Sequence, residues 1–288
     1  MNLRQIRKKI RAVSNVKKIT NAMQLVSAIK MRKAQQKAFE GKPYREFLSF
    51  IIQKVAASLI EKSYSPLLSK SNPLAQKDLV IFITSNKGLC GGFNFNLFRF
   101  LVKEVDFKKV DFITVGKKGA LFVKKMGGVV IADFSSQHEE DKVSAIFKTA
   151  FDLFFKGEYA NVFLVYNRFL STVRFEPVKK RIFPIKFEKE EFKVAEKKEV
   201  KKEYLIEPSP EKIIDSALRN MIEIEIYEAL IESEAAEHSA RMMAMKNATD
   251  NATDVIYNLT LLRNKVRQEK ITYELLDMVT AKQSVEET

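Results

Sequence analysis

The loop SNKGLCGGFN, at Ser85–Asn94, holds the residue types that come closest to a site of chemistry. It follows an apolar run and precedes a helical pattern, which is where phosphate-binding loops lie. Its glycines do not match either common phosphate-binding fingerprint, because no Lys-Ser/Thr follows them and no G-x-G-x-x-G is present. An anion site and a tight turn that needs glycine for backbone clearance are both open, and the spacing favours the turn.

Nucleophilic and metal chemistry have few candidate residues. Cys90 is the only cysteine, which excludes an intrachain disulfide and fits a reducing compartment. The two histidines, His138 and His238, lie far apart in the sequence, so neither a triad nor a metal cluster is predicted. His238 fits a helical seam as a polar residue that helps to fix register. We therefore predict no catalytic residue, no metal and no cofactor.

The positive charge is concentrated at one end of the chain. Residues 1–42 carry 12 Lys/Arg and one acid, Glu40, whereas the whole chain has a net charge of +14. The segment 211–237 instead carries eight acids against Lys212 and Arg219. Nucleic-acid binding by the basic helix is an alternative, but no aromatic residue before Phe39 offers base stacking. Pairing of the two oppositely charged ends is the simpler interpretation.

The middle of the chain alternates strand-length apolar runs with helical patterns. This order indicates βαβ units and a mostly parallel sheet. Pro177 and Pro184 predict that the last run is an edge strand. The predicted strands are Leu79–Thr84, Val110–Val115, Gly128–Ala132, Asn161–Tyr166 and Arg174–Ile185, and the predicted helices are Asn94–Glu104, Lys117–Met126 and Asp141–Lys156.

Long helical patterns flank this α/β module. The N-terminal pattern has two apolar runs, Leu3-Ile6-Ile10-Val13 and Val16-Ile19-Met23-Val26, separated by a three-residue step. After Pro210 no glycine or proline follows, and a heptad seam runs from Met221 to Tyr273. We predict a helix over 1–60, a loop over 61–76, the α/β domain over 77–187, a charged linker over 188–208 and a second long helix over 209–288.

The two terminal helices are predicted to form an antiparallel coiled coil. The C-terminal helix is longer, so its end should project without a partner helix and carry apolar side chains that need a socket on another protein. From Ser233 to Thr253 it consists largely of Ala, Ser, Thr and Met. Such a slim surface fits close helix packing or a shaft in a narrow opening. No run of 18 apolar residues and no secretory signal are present, so we expect an untargeted N-terminus.

Three segments closely resemble the γ subunit of the rotary ATP synthase. They are RQIRKKIRAVSNVKKITNAMQLVSAIKMRKAQ, the loop SNKGLCGGFN and the C-terminal block SEAAEHSARMMAMKNATDNATDVIYNLTLLRNKVRQEKITYELLDMVT. They occur in the family's order over the full length. Chloroplast members carry an inserted cysteine pair, which this chain lacks, so the resemblance favours the bacterial type.

The resemblance implies contacts at named positions. Met23 and Arg241 look like shaft residues that face acidic C-terminal regions of the β subunits, and Tyr204 resembles a foot residue near the c-ring. Three further residues resemble those that meet β-subunit loops: Arg267, Gln268 and Thr272. The tip, 271–285, would lie in an apolar collar through Leu275, Leu276, Met278 and Val279.

The implied role is mechanical. The chain would be a non-catalytic central rotor shaft that couples proton-driven rotation of the c-ring to ATP synthesis on the ring of α and β subunits, and that regulates ATPase activity. Its partners would be α, β, ε and the c-ring, with no nucleic acid. It would lie on the cytoplasmic face of the bacterial inner membrane, attached only through the complex. A nucleotide-binding enzyme that uses the Ser85–Asn94 loop and a nucleic-acid-bound coiled coil are the alternatives.

Overall fold

A computed structural model describes residues 2–58, 75, 77–136, 139–185, 207 and 209–286. Two compact units are present. One combines Met1–Ala28 with Arg241–Thr288 and is called the coiled-coil unit; the other is Ile29–Ala240 and is called the foot. Most of the predicted loop 61–76 and of the predicted linker 188–208 lies outside the described residues.

Five helices and five strands are described. The helices of the foot interior are short, whereas the first and last helices are very long and contribute to both units. α1 continues through Gly41 and Pro43. The elements in chain order are α1 (Leu3–Ser58), β1 (Lys77–Ile83), α2 (Phe93–Glu104), β2 (Val110–Val115), α3 (Lys117–Lys125), β3 (Val129–Asp133), α4 (Glu139–Phe155), β4 (Tyr159–Ser171), β5 (Arg174–Phe183) and α5 (Pro210–Glu286).

The sheet confirms the predicted βαβ organisation. Its strand order is β3-β2-β1-β4-β5, and the β1–β2, β1–β4 and β2–β3 pairs are parallel. β5 pairs antiparallel with β4 at one edge, and Pro177 lies opposite Asn167 in that pair. The proline is tolerated because only one side of an edge strand needs backbone donors. Pro184 follows β5 through a cis peptide bond.

Both faces of the sheet are buried, which explains why β1 is a continuous apolar run. Val80 and Phe82 point into a cluster with α2 and α3. Leu79, Ile81 and Ile83 point to the other face and pack in a larger cluster with α4 and with the foot portions of α1 and α5. The long helices therefore form part of the hydrophobic core of the foot.

In the coiled-coil unit the two helices pair along a heptad seam. The hydroxyl oxygens of Thr20 and Thr249 lie 2.7 Å apart. Thr20 lies eight residues before the end of its segment at Ala28, and Thr249 lies eight residues after the start of its segment at Arg241, as an antiparallel pair requires. The α5 seam is confirmed from Met242 to Val266: its positions are buried or partly buried, whereas most residues between them are exposed.

The α1 seam differs from the prediction in its second apolar run. Ile6 is fully buried, and the other members of the first run are partly buried, as expected. Beyond Val13 the heptad continues without a skip, because an unbroken 3–4 spacing keeps one face toward the partner helix. The second apolar run is therefore turned outward: Val16, Ile19 and Val26 are more than half exposed. The inward positions are Lys17, Thr20, Gln24 and Ser27.

The C-terminal end of α5 is exposed to solvent on all sides. Every residue from Arg267 to Lys282 with a described side chain is exposed, including the last two predicted seam positions, Lys270 and Tyr273. Large apolar side chains are among them. A segment that is helical and apolar yet unburied within its own chain is expected to be covered by another protein.

Candidate functional site: the helix pair and its attachment to the sheet

The Ser85–Asn94 loop is held by its own side chains. The Asn94 amide donates hydrogen bonds to Ser85 Oγ at 2.7 Å and to Cys90 Sγ at 3.3 Å. Asn94 Oδ1 accepts from the Ser85 backbone N–H at 3.3 Å, and Ser85 Oγ donates to the Lys87 carbonyl at 2.8 Å. Gly91 adopts a positive φ of 54°, which favours glycine. These bonds make the loop a closed turn, the interpretation that its spacing favoured.

The start of α3 lies at the same edge of the sheet, where α/β proteins often bind phosphates. Its backbone N–H groups donate to the protein itself. Gly116 N donates to Ser135 Oγ at 3.2 Å, Lys117 N to Asn86 Oδ1 at 3.1 Å and Gly119 N to Thr84 Oγ1 at 2.9 Å. Internal acceptors thus occupy the donors that would cradle a phosphate.

The glycines at this edge serve close packing. A Cβ added at Gly116 would lie 2.1 Å from the Thr84 carbonyl oxygen, and one at Gly119 would lie 2.6 Å from Thr84 Oγ1. Gly116 also has a φ of +115°, a backbone conformation that residues with a side chain rarely adopt. Both residues allow α3 to approach the end of β1 closely, so no open cradle is left between them.

The loop also attaches the sheet to α5. Cys90 and Phe93 are buried against Ala236, which is fully buried on α5. The Phe93 and Phe175 rings lie 5.8 Å apart at their centroids. Asn167 Nδ2 donates to the Phe93 carbonyl at 3.0 Å. The small Ala236 side chain leaves room for the aromatic residues to pack against α5, so this contact depends on shape.

A row of carboxylates on α5 forms a second attachment. Glu225 Oε1 lies 3.2 Å from Lys180 Nζ of β5, and Glu228 forms an ion pair with Arg45 of α1. Burial raises the pKa of the third carboxylate, Glu232, although Tyr166 donates a hydrogen bond to it. Within the foot, acidic positions on α5 thus face basic side chains of α1 and the sheet. The predicted pairing of 211–237 with the basic stretch 1–42 is met only at Lys30 and Lys37, because residues 1–28 pair with the later part of α5 instead.

Glu234, on the next face of α5, behaves oppositely. The His238 side chain, with Nε2 3.6 Å from the carboxylate, is the main cause that lowers the pKa of Glu234. Lys37 and Lys30 of α1 add smaller contributions in the same direction. His238 is buried at a seam position, and Glu234 is on the same helix, four residues before it. The neighbouring Ser239 hydroxyl donates to the Thr172 carbonyl in the β4–β5 turn.

The residues expected to contact partners are dispersed along the helices. Met23 is half-buried and Arg241 is buried. Arg267, Gln268 and Thr272 are exposed. The four tip residues, Leu275, Leu276, Met278 and Val279, are between 54% and 68% exposed. Tyr204 lies outside the described residues.

Within the described parts of the chain, no group of three or more His, Cys, Asp or Glu side chains could hold a metal ion. None of the helices there is both long and apolar enough to cross a membrane.

The sequence patterns did not identify four structurally important residues: Thr84, Phe93, Asn94 and Ser135. The only available signal was the position of Phe93 and Asn94 at a loop–helix boundary.

Comparison with known proteins gives the family. The model of the family described as ATP synthase matches residues 2–285. The ATP synthase gamma chain of Verminephrobacter eiseniae is 37% identical over 287 residues and that of Legionella pneumophila strain Corby is 32% identical over 284 residues. Each alignment covers 96% of this chain and 96% of the relative.

Solved structures agree on the fold. A chain from the rotor of the Euglena gracilis mitochondrial ATP synthase superimposes with a TM-score of 0.65 at 19% identity, covering 93% of this chain and 98% of that one. A chain from the central stalk and c-ring of the Tetrahymena thermophila mitochondrial enzyme gives 0.56 at 23% identity, covering 80% and 99%.

Two features define a shaft-type subunit. The α/β module includes two long helices in its core, and the same helices pair with each other as an antiparallel coiled coil. In this chain, internal hydrogen bonds occupy the backbone donors at the edge of the sheet where α/β proteins often bind phosphates. The chain belongs to the ATP synthase γ chain family. The family and fold expected from the sequence are both confirmed.

Proposed function

We propose that the chain is the central rotor shaft of a proton-translocating F-type ATP synthase. Rotation of a c-ring turns the foot, and the coiled coil acts on the α and β subunits in turn and thereby regulates their ATPase activity. The main support is the alignment with a γ chain, which covers 96% of this chain and 96% of the relative. The exposed apolar end of α5 supports it, because that end requires a covering partner.

We propose further that the subunit is not itself catalytic. Support comes from the closed edge of the sheet, where Thr84, Asn86 and Ser135 accept the hydrogen bonds that a bound phosphate would otherwise receive. In the Ser85–Asn94 loop, Cys90 is 3% exposed and packs against α5. A buried thiol in an apolar contact is poorly placed for nucleophilic attack.

The proposed β-subunit contacts are distributed over the coiled-coil unit. Arg267, Gln268 and Thr272 are exposed and free to meet loops of a surrounding ring. Met23 offers part of its side chain, and Arg241, 7% exposed, offers only a small part of its surface. The tip residues fit an apolar collar because they are helical, large and exposed.

The remaining assignments follow from the family. We propose that Tyr204 lies on the c-ring side, that ε binds the foot and that the complex places the chain at the cytoplasmic face of the bacterial inner membrane. The division into 1–60, 61–76, 77–187, 188–208 and 209–288 is retained as the domain proposal. In it the foot unit extends into both long helices, which supply Ile52 and Ile226 to its core.

Affinity purification of the tagged chain from solubilised membranes tests the proposal. We expect α and β subunits to copurify with the wild-type chain. Replacing the four apolar tip residues by serine should reduce their recovery, since the collar contact loses its apolar area. A variant with Phe95 and Leu121 replaced by serine, two exposed residues of the foot, is the matched control for α and β recovery.

Two results would contradict the proposal. One is recovery of the wild-type chain without α and β subunits. The other is tight, stoichiometric ATP binding by the isolated chain in equilibrium dialysis, which would support the nucleotide-binding enzyme. Recovery of nucleic acid in place of the subunits would support the third alternative.

A further inference from the structure

We infer that the Thr20–Thr249 hydroxyl pair fixes the register of the coiled coil. The two Oγ1 atoms lie 2.7 Å apart across the seam, and the Thr20 side chain is buried. The pair lies where α1 turns polar residues inward and apolar residues outward. This inference rests on the proposed function only for its consequence in the assembled enzyme.

The hydrogen bonds of the pair are complete. Each threonine has one hydroxyl hydrogen. One hydrogen forms the bond between the two side chains, and the other reaches a carbonyl of its own helix. Thr20 Oγ1 lies 3.1 Å from the Lys17 carbonyl, and Thr249 Oγ1 lies 2.9 Å from the Met245 carbonyl. Either direction of the shared bond therefore satisfies both hydroxyl donors.

A slip of one heptad breaks this arrangement while keeping the seam. Sliding one helix by seven residues, about 10 Å at 1.5 Å per residue, places Thr20 opposite Met242 or Ile256. In the first direction Thr249 meets Val13 and both hydroxyls lose their cross-helix partner. In the second it meets Ser27, whose hydroxyl donates to the Met23 carbonyl at 2.7 Å and can still accept from Thr249, but Thr20, opposite Ile256, loses its cross-helix partner. Neither slipped register reproduces the native pair.

Within the seam around Thr249, packing discriminates weakly between these registers. The α5 seam near Thr249 is formed by Met242, Met245 and Ala252. Methionine side chains adapt to different surroundings, and alanine presents no distinctive shape. In coiled coils a polar pair in the seam specifies register because an alternative alignment leaves it unpaired. The hydroxyl pair supplies the distinction that this seam lacks.

Distance measurement by pulsed electron spin resonance tests the inference. Spin labels on Arg11→Cys of α1 and Asn247→Cys of α5 occupy exposed positions in the coiled-coil unit, with Cys90→Ser removing the native thiol. The full-length chain should give one distance. The Thr20→Val/Thr249→Val variant keeps side-chain size but loses the bond, and it should add a population shifted by about 10 Å along the helix axis.

The matched control is Thr20→Ser/Thr249→Ser, which keeps both hydroxyls and should give the single wild-type distance. A single unshifted distance in the valine pair overturns the inference. Circular dichroism verifies the helix content. Should the valine pair unfold the helices, Thr249→Val alone carries the same test, because it also removes the shared bond.

In the assembled enzyme the valine pair should keep ATP hydrolysis and lose part of the proton pumping per ATP hydrolysed, and the serine pair should restore it. A shifted distance with undiminished pumping would refute the mechanical consequence. Failure of the wild-type chain to recover α and β subunits would refute the proposed function instead. The two failures are therefore distinguishable.

Discussion

The inward face of α1 is apolar in the foot and becomes polar in the coiled-coil unit between Lys17 and Ser27. In the foot it presents Leu48 and Ile52 to a large core. In the coiled-coil unit it presents Thr20 and Ser27 to α5. Apolar burial gives strong, non-directional attachment, whereas hydrogen-bonded polar seams give alignment at a lower stability. One helix thus uses two kinds of contact, the first to hold the foot and the second to fix the shaft's alignment.

The exposed faces differ in a way that matches this division. In the coiled-coil unit, Val16, Ile19 and Val26 face outward beside a polar seam. The foot buries most of its large apolar residues within the chain itself. The foot is therefore expected to be stable alone, whereas the coiled-coil unit is expected to depend more on covering partners.

The largest effect is expected from Phe93→Ala, which weakens the attachment of the sheet to α5 inside the foot. Phe93 is fully buried against Cys90 and Ala236, and truncating a buried phenylalanine costs about 3–5 kcal/mol. Urea unfolding followed by tyrosine fluorescence measures the change in the free energy of unfolding. Phe95→Ala, on the same helix and exposed, should stay within about 0.5 kcal/mol of wild type. Equal effects of the two substitutions would show that Phe93 is not a core contact.

A smaller effect on stability, but a large one on function, is expected from Met23→Lys. Met23 is half-buried in the coiled-coil unit, and a lysine there places a new cation beside the acidic β-subunit region expected to face it. ATP-driven proton pumping per ATP hydrolysed should fall, and the stability of the chain should change by less than about 1 kcal/mol. Asn21→Lys, at an exposed position of the same helix, is the control. Unchanged pumping in the Met23 variant would refute the contact.

The smallest effects should have opposite signs at Glu232 and Glu234. The folded-state pKa of Glu234 is lowered, so its ionised form stabilises the fold above its unfolded pKa, and this contribution disappears as pH falls through the folded pKa. Glu234→Gln should therefore destabilise the chain at neutral pH, by less than about 1 kcal/mol for a partly exposed carboxylate, and should match wild type in acid.

Glu232 sharpens the same comparison. Its folded-state pKa is raised by burial, so ionisation opposes folding as pH rises from the unfolded pKa through the folded pKa. Glu232→Gln should stabilise the foot at neutral pH and match wild type in acid. Thermal unfolding across pH 3–8 measures both variants. Shifts of the same sign at neutral pH would contradict this account of the two carboxylates.

The sequence predicted the local patterns of the foot well. The apolar runs became strands in the expected parallel sheet, and Pro177 lies in the edge strand β5 as predicted. The patterns succeed because a strand buried on both faces requires consecutive apolar residues. Contacts between distant segments, such as Phe93 with Ala236 or Arg45 with Glu228, could not be predicted, since no local spacing encodes which helix turn meets which strand.

The prediction for α1 was wrong for an instructive reason. Apolar periodicity assigned Val16, Ile19 and Val26 to the seam, on the rule that apolar residues face the partner helix. The uninterrupted heptad geometry and the α5 surface instead turned Thr20 and Ser27 inward. A chain that works inside an assembly can use its apolar residues for other subunits, and single-sequence periodicity does not distinguish an internal partner from an external one.

Rotation of the foot in a single assembled enzyme tests the central claim most directly. The β subunits are fixed to a surface, and a bead is attached through Lys125→Cys, an exposed position of the foot. With ATP, the proposed function predicts continuous rotation in one direction with three pauses per turn, one for each β subunit. A bead that stays fixed while the same preparation hydrolyses ATP would contradict the assignment of this chain as the rotor shaft.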